Sequence, residues 1–414
     1  MGGWLSSLTW VDNSEKERQK ALDFVDTFRE RETRDELGIG VIRDAFSERL
    51  FPGTTTVQTR ARYFLLIPWV YQRAAQYATR GWSYVQLRDQ ARTIEQQWLM
   101  RALKNGGDEF GLFGRVGGKD IARLASDVYW NGLGRWGIRR YGASRSQLLR
   151  EMAAQGSAPR RREMADEDRT LAPSSDGYWH WGLPDAPDDF FETATFELSD
   201  GESRYLRDML LEHAGGSLLA HLVSTQAERV DCATPWEHPG FAEFPNDNKR
   251  ELNHAKQFSL LMNGAVLVYN LMLAEKRLEL EWTDEDDIAG TYAREVAAWV
   301  DRMREASPDL ASWDVVDFWS LIESTGARVN RRTHDFVARW LKTALSDPAA
   351  AVIDAGVRRM IRQREIDLKG GLARLENSHA LGLWNKASGV EPLNYRWGTV
   401  QVIVNDIVSG MVRD

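Results

Sequence analysis

The sequence contains little of the material from which recognisable active sites are built. Its 414 residues include one cysteine, Cys232, which excludes an internal disulfide framework and a zinc site of paired thiolates. The 7 histidines are dispersed, and no two stand at the three- or four-residue interval of a helical metal-binding pair. We therefore expect no catalytic residue, no cofactor-binding residue and no metal site.

Strand patterns are also missing. No segment shows sustained alternation of apolar and polar residues, and no strand–turn–helix repeat occurs. Apolar residues recur instead at helical spacing, and Ser83 with Gln86 and Ser199 with Glu202 have the spacing of helix capping boxes. The sequence predicts a mostly α protein, a multi-helix globular body with little or no sheet.

No apolar run is long enough to cross a membrane without interruption. The most apolar segment, FSLLMNGAVLVYNLMLA at residues 258–274, is shorter than the roughly 20 residues of a membrane span and carries Ser259, Asn263 and Asn270. Apolar side chains all round the helix predicted over 248–281 imply that other helices surround it. We expect a buried central helix and no membrane partner.

The charge balance argues against a general attraction to nucleic acid. With 53 basic and 61 acidic residues, the formal net charge is -8, so any contact with DNA must come from local patches. The single cysteine is compatible with a reducing compartment, and we expect a cytoplasmic protein.

A change in composition divides the chain. Residues 153–177 combine AAQGSAPRRR with an acid-rich run that ends in PSSDG, a composition typical of a linker. We predict an N-terminal helical domain over 1–152, a linker over 153–177 and a C-terminal helical domain over 178–414 around the central helix. In the aromatic segment that follows the linker, we expect Trp179 and Trp181 to anchor an ordered loop.

Two groups of basic residues are candidate contacts to DNA or to a protein partner. Arg60 and Arg62 begin a helix that follows a Pro-Gly turn, the order of a helix-turn-helix reader, although that helix is more apolar than a recognition helix. A candidate basic face lies within residues 358–377 and consists of Arg358, Arg362, Arg364, Lys369 and Arg374. The structural alternative is a helix crossed by ion pairs such as Arg362–Glu365 and Arg364–Asp367.

One short motif suggests a nuclease. Asp367-Leu-Lys369 fits the acid-x-Lys half of a metal-dependent nuclease site, with Asp354 available as the upstream carboxylate. Such a site also needs neighbouring strands, whereas this region is predicted to be helical. A metal-dependent nuclease is therefore an alternative function, as is a stand-alone DNA-binding module that uses Arg60 and Arg62.

Four stretches together resemble a bacterial family catalogued as a domain of unknown function. They are DELGIGVIRDAFSERLFPGTTTVQTRARYFLLIPWVYQR, NHAKQFSLLMNGAVLVYNLMLAE, REIDLKGGLARLEN and PLNYRWGTVQVIVNDI. The resemblance spans nearly the whole chain and implies an association with phage-defence gene clusters, beside helicases and nuclease-like proteins. We expect a non-catalytic helical subunit of a bacterial antiviral defence assembly, with other protein subunits as partners and DNA as a further candidate partner.

Overall fold

The computed structural model describes residues 35–107, 111–113, 124–157, 177–282 and 287–411. Within these ranges the regular elements are helices, no strand is present, and one isolated antiparallel bridge joins Arg139 to Trp179. The predicted mostly α architecture is confirmed. In chain order the α-helices are α1 (Gly40–Leu50), α2 (Tyr63–Ala78), α3 (Tyr84–Thr93), α4 (Met100–Asn105), α5 (Ala125–Arg135), α6 (Arg145–Ser157), α7 (Asp200–Ala214), α8 (Leu218–Thr225), α9 (Asn246–Glu279), α10 (Ile288–Glu305), α11 (Ser307–Ala311), α12 (Val315–Ser324), α13 (Arg331–Ser346), α14 (Pro348–Ile353), α15 (Ala355–Lys369), α16 (Ser378–Gly382) and α17 (Trp397–Met411).

The described residues form two compact units. Unit 1 contains residues 35–43 and 257–393, and unit 2 contains residues 44–256 and 394–411. Residues 153–157 of the predicted linker continue α6, and residues 158–176 lie outside the described part of the chain. The predicted domain boundary therefore stays a prediction.

Helix α9 is the predicted central helix, displaced by two residues at each end from the expected 248–281. It is long and apolar enough to cross a membrane by composition, but 89% of its most apolar window is buried inside the protein. An apolar helix that is covered on all sides by protein is a core helix, so the expected buried central helix is confirmed.

The three polar residues that interrupt the apolar run of α9 all donate hydrogen bonds to one neighbouring segment. Ser259 donates to the carbonyl of Leu393 at 2.9 Å, Asn263 donates to Val390 at 2.9 Å, and Asn270 donates to Ser388 at 2.9 Å. All three bonds satisfy backbone carbonyls of one irregular segment, residues 388–393, which lies in unit 1 with them. These three bonds pair the Ser259 hydroxyl and the amide N–H groups of Asn263 and Asn270 with carbonyls, as a low-polarity interior favours.

Two tryptophans complete the packing around α9 in unit 1. The indole N–H of Trp299 donates to the Leu260 carbonyl at 2.8 Å, and that of Trp340 donates to the Leu261 carbonyl at 2.8 Å. Trp299 lies against Gly264, where an added Cβ would stand 2.2 Å from the ring. The glycine thus allows α10 to approach the central helix closely.

Unit 2 has its own helical core. Helix α2 packs against α3, α5 and α6, and α7 packs against α8 and α17. Phe64 of α2 stacks on Trp136 with ring centroids 3.7 Å apart. The predicted capping boxes are both present at the starts of α3 and α7, where the Ser83 and Ser199 side chains accept from the third backbone N–H of each helix.

Candidate functional site

Helix α15 and the turn after it carry most of the predicted contact residues, and a helix stop places them. Asp354 caps the helix by accepting from the Val357 N–H at 2.8 Å, and the helix ends at Gly370, whose φ of +53° lets the chain reverse. A short 3-10 turn, Gly370–Leu372, then brings Arg374 back beside the last turns of α15. Asp354 both ends α14 and caps α15, so the two helices meet at this residue.

The reversed chain is held by Glu365, a fully buried carboxylate. Its oxygens accept from the backbone N–H of Arg374 at 2.9 Å and of Leu375 at 3.0 Å. The Tyr269 hydroxyl of α9 donates to the same carboxylate at 2.5 Å. Burial, followed by the nearby negative charge of Glu365, raises the pKa of Tyr269, so this hydroxyl stays protonated as a donor.

A second buried carboxylate, Glu36, faces the two cations of this turn. It accepts from the Arg374 guanidinium at 2.7 Å and pairs with the Lys369 ammonium. Lys369 also lies 3.1 Å from the Tyr269 hydroxyl and 3.3 Å from Glu365. Two carboxylates therefore face two cations. We call Glu36, Tyr269, Glu365, Lys369 and Arg374 the buried ion cluster.

Arg364 extends the buried ion cluster toward the backbone. Its guanidinium donates to the carbonyls of Leu37 at 2.9 Å and Gly38 at 3.1 Å, and to the Thr333 hydroxyl at 2.7 Å. The predicted pair of Arg364 with Asp367 is wrong, because Asp367 accepts from Gln363 at 2.9 Å instead.

Two other cations of α15, Arg358 and Arg362, are paired nearer the surface. Arg358 pairs with Glu275, and Arg362 pairs with Glu376 rather than with the predicted Glu365. Glu365 is unavailable to Arg362 because its oxygens point into the buried ion cluster. The predicted basic face is therefore accompanied by acidic side chains.

The two candidate arginines of unit 2, Arg60 and Arg62, are also paired with carboxylates. Arg60 forms a bidentate pair with Asp406 at 2.9 and 3.0 Å, and Asp406 also accepts from the Ala61 N–H at 2.9 Å. Arg62 donates to Glu202 at 2.7 Å and to the Thr195 carbonyl at 2.8 Å. Both guanidiniums tie the start of α2 to other helices or loops of unit 2.

The residues of the nuclease alternative do not converge. Asp354 caps α15, Asp367 bonds to Gln363, and Lys369 belongs to the buried ion cluster. In the part of the chain that the structure describes, no group of three or more His, Cys, Asp or Glu side chains could hold a metal ion. The strands that such a site requires are absent from the same residues.

Unit 2 contains another buried carboxylate, Glu95, in the π-helical turn Ile94–Leu99. Its oxygens accept from the Ser126 N–H at 2.7 Å and the Ser126 hydroxyl at 2.8 Å. Arg145 donates to that hydroxyl at 2.6 Å rather than to the carboxylate. Burial raises the pKa of Glu95 because these hydrogen bonds only partly offset its desolvation.

The aromatic loop that follows residue 177 presents one tryptophan to solvent. Trp179 is buried as predicted, but the prediction for Trp181 is wrong, because its side chain is 84% exposed. The chain turns at this point, with the Leu183 N–H bonded to the His180 carbonyl at 3.0 Å, and Trp181 occupies the outer side of the turn. Other large apolar side chains that are more than half exposed are Val85, Leu278, Val316, Ile353, Leu372 and Leu383.

Sequence reasoning missed Glu36, Tyr269, Glu365 and Glu95. One signal was available for Tyr269, which carries a hydroxyl within an otherwise apolar helix and therefore needs a buried hydrogen-bond partner. The glutamates lie among many exposed acids in the sequence, and their spacing does not distinguish them.

Comparison with known proteins gives a family and no described activity. No curated protein and no solved structure matches the chain. A family model matches residues 5–409, almost the entire sequence. The chain therefore belongs to DUF6361, a family of unknown function.

Proposed function

We propose that this protein is a non-catalytic helical subunit of a bacterial antiviral defence assembly and that it acts in the cytoplasm by binding other protein subunits. The observation that carries the proposal is a contrast between its charged and its apolar side chains. The candidate cations are paired within the chain, whereas Trp181 stands 84% exposed. Tryptophan is enriched among the residues at the centre of protein–protein interfaces.

The pairing of the cations favours a protein partner over DNA. A phosphate backbone is bound by cations that release counterions, and each such contact requires an available positive charge. Arg60, Arg62 and Arg374 already donate to carboxylates at 3.0 Å or less. To contact phosphate, each would have to leave a carboxylate that is itself almost fully buried.

The defence role rests on the resemblance of the four stretches quoted above, which implies an association with phage-defence gene clusters. A structural subunit of such an assembly needs no catalytic constellation of its own. Rigid helical units with apolar side chains at the surface suit that role, because binding then orders few additional groups.

Purification from the native operon tests the proposal. We expect the tagged chain, expressed with its neighbouring genes and treated with nuclease, to be recovered with at least one partner protein in fixed stoichiometry. Trp181→Ala should lower that recovery at least tenfold, because truncating a central tryptophan removes an interface anchor. Val316→Ala, which shortens another exposed apolar residue, is the matched control. Recovery of the chain as a lone monomer would contradict the proposal.

A further inference from the structure

Helix α13 turns an apolar side to the interior of unit 1 and a cationic side to solvent. The Trp340 indole on the buried side donates to the Leu261 carbonyl of α9 at 2.8 Å, which fixes the helix in place. At about 3.6 residues per turn, the opposite, exposed side covers an arc of about 100°. In order around that arc its residues are Arg331, Lys342, Asp335, Ser346, Arg339 and Arg332. We call the basic residues among them, Arg331, Arg332, Arg339 and Lys342, the α13 cations.

The α13 cations have few acidic neighbours. Asp335 is the acidic residue on the arc, and its carboxylate lies 3.8 Å from the guanidinium of Arg331, whose side chain is 94% exposed. Among the residues that the structure describes, no carboxylate lies within 4.0 Å of the charged groups of Arg332, Arg339 and Lys342. The arginines of the earlier candidate sites are held by carboxylates, whereas these cations are available to an anion from outside the chain.

Two of the α13 cations stand where the helix itself disfavours them. Arg331 and Arg332 directly follow the Asn330 cap and lie in the first helical turn, which contains no acidic residue. The start of a helix carries the positive end of its dipole, so cations in the first turn destabilise the helix. Side chains that oppose their own helix and gain little from the rest of the fold point to a role outside the fold.

The chemistry of the arc fits the phosphate backbone of nucleic acid. Arginine presents a fork of N–H donors that matches phosphate oxygens, and the α13 cations extend over roughly 16 Å of helix. The residues of the arc are all polar or charged, whereas the centre of a protein interface and the membrane-binding side of a helix are apolar. The apolar side of α13 is already buried within unit 1.

The arrangement of the α13 cations favours double-stranded DNA. Arg331 and Lys342 line one edge of the arc, and Arg332 and Arg339 line the other, so two rows of cations match the two rows of phosphates that border a groove. Single strands are bound by aromatic rings beside the cations, and the arc contains no aromatic residue. Among duplexes, B-form DNA has a major groove that admits an α-helix, whereas that of duplex RNA is narrow.

We propose that the exposed arc of α13 binds the backbone of double-stranded DNA, with the α13 cations contacting phosphates on both sides of the major groove. This inference goes beyond the proposed function, because it gives the subunit a ligand that is not a protein. The formal net charge of -8 repels DNA from the chain as a whole, so the affinity depends on this local surface.

A labelled DNA duplex tests the proposal on the purified full chain. The probe is a fluorescein-labelled duplex of about 30 base pairs, and binding is followed by fluorescence anisotropy from about 50 mM salt upward. Combining Arg331→Gln with Arg332→Gln should weaken binding at least tenfold at the lowest salt. The slope of log affinity against log salt should become shallower by about two, since each phosphate contact releases about 0.9 counterion.

Two further readouts separate binding from folding. The same double variant should keep or raise the Tm of wild type, because it removes two cations from the positive end of the helix dipole. Asp335→Asn should strengthen DNA binding about threefold, because it removes the negative charge from the arc. A double variant that loses affinity only because it unfolds would show a lower Tm, and weaker binding by Asp335→Asn would count against the proposal.

The matched control combines Arg294→Gln with Arg304→Gln on α10. These arginines are also exposed and belong to unit 1, but carboxylates lie 4.0 and 2.8 Å from their guanidiniums. The control changes the net charge by the same amount and should bind DNA within about twofold of wild type.

Three results overturn the proposal. The first is a wild-type chain that does not bind the duplex, or an equal loss of affinity in the α13 and α10 double variants. The second is tighter binding of single-stranded DNA or of duplex RNA of the same length. The third is a loss of partner protein, rather than of DNA, when the α13 double variant is purified from the native operon with nuclease, since the arc then binds an acidic protein surface.

Discussion

Glu365 in unit 1 and Glu95 in unit 2 are both buried glutamates in helices, but their surroundings differ. Glu365 has an ammonium at 3.3 Å, a tyrosine hydroxyl at 2.5 Å and two backbone N–H donors. Glu95 accepts from the backbone N–H and the hydroxyl of Ser126, which are both neutral. Glu365 therefore has a cation beside it, whereas burial among neutral hydrogen-bond donors raises the pKa of Glu95. Burial alone therefore does not determine what a buried acid contributes.

Removing the Glu365 carboxylate, which has a cation beside it, should lower the free energy of unfolding more than any other substitution considered below. Glu365→Ala leaves Lys369 without one of its two acids and removes the acceptor of the Arg374 and Leu375 N–H groups. Because breaking a buried ion network leaves uncompensated charge, we expect the free energy of unfolding to fall by about 3–5 kcal/mol. Urea denaturation followed by circular dichroism measures this loss, and a loss below about 1 kcal/mol would show that the cluster contributes little.

Breaking the Arg60–Asp406 ion pair, which has partial access to water, should have an intermediate effect on the free energy of unfolding. Arg60 is 18% exposed, so it can recruit water when Asp406 is replaced by alanine. Three hydrogen bonds to the carboxylate are lost, and we expect a decrease of about 2–3 kcal/mol in the free energy of unfolding. A loss equal to that of Glu365→Ala, in the same denaturation experiment, would remove the distinction between the two sites.

Replacing Glu95 by glutamine should have a small effect on the free energy of unfolding at pH 7 and should change how that free energy depends on pH. The pKa of Glu95 is higher in the folded chain than in the unfolded chain, so the folded state binds more protons between those two values. Stability from this residue is therefore present below the ordinary glutamate pKa and is lost as pH rises through the raised value. We expect Glu95→Gln to lie within about 1 kcal/mol of wild type at pH 7, because it keeps the shape of the side chain and one acceptor oxygen, and the lost acceptor is offset by removal of a buried charge.

Thermal melts from pH 4 to pH 8 distinguish the two proteins. Glu95→Gln should lack part of the decrease in Tm that wild type shows as pH rises across this range. Identical pH profiles for the variant and wild type would mean that Glu95 is accommodated as a charge at no cost.

The surface pair should have the smallest effect. Arg362 and Glu376 are 51% and 41% exposed, so water competes with their interaction. The Arg362 hydrogen bond lowers the pKa of Glu376, but we expect Glu376→Ala to reduce the free energy of unfolding by less than about 1 kcal/mol. Raising the salt concentration should shrink this difference further. A larger loss that is independent of salt would contradict this assignment.

Local sequence patterns were sufficient to predict the helices but not the buried ion cluster. Capping residues such as Ser83 and Ser199, and the apolar run of α9, act within a few residues of themselves, so their sequence predicts their structure. The buried ion cluster joins Glu36 to Arg374, which are 338 positions apart in the chain. A pairing over that separation depends on tertiary packing, and the spacing of charges within 358–377 gave wrong partners for Arg362 and Arg364.

Exposure of single side chains was equally hard to predict. Trp179 and Trp181 lie two residues apart in the same aromatic segment, yet Trp179 is buried and Trp181 is 84% exposed. The turn after His180 produces this difference, since it reverses the chain immediately after the bridge at Trp179.

The most direct test of the account is a double-mutant cycle between Glu36 and Arg374, whose charged atoms lie 2.7 Å apart. Glu36→Gln, Arg374→Gln and the double variant are compared with wild type by urea denaturation. We predict a coupling energy of about 2 kcal/mol, because the two residues share a buried, charge-assisted hydrogen bond. If the effects of the two single substitutions add to within about 0.5 kcal/mol, the pairing of Arg374 with Glu36 is contradicted.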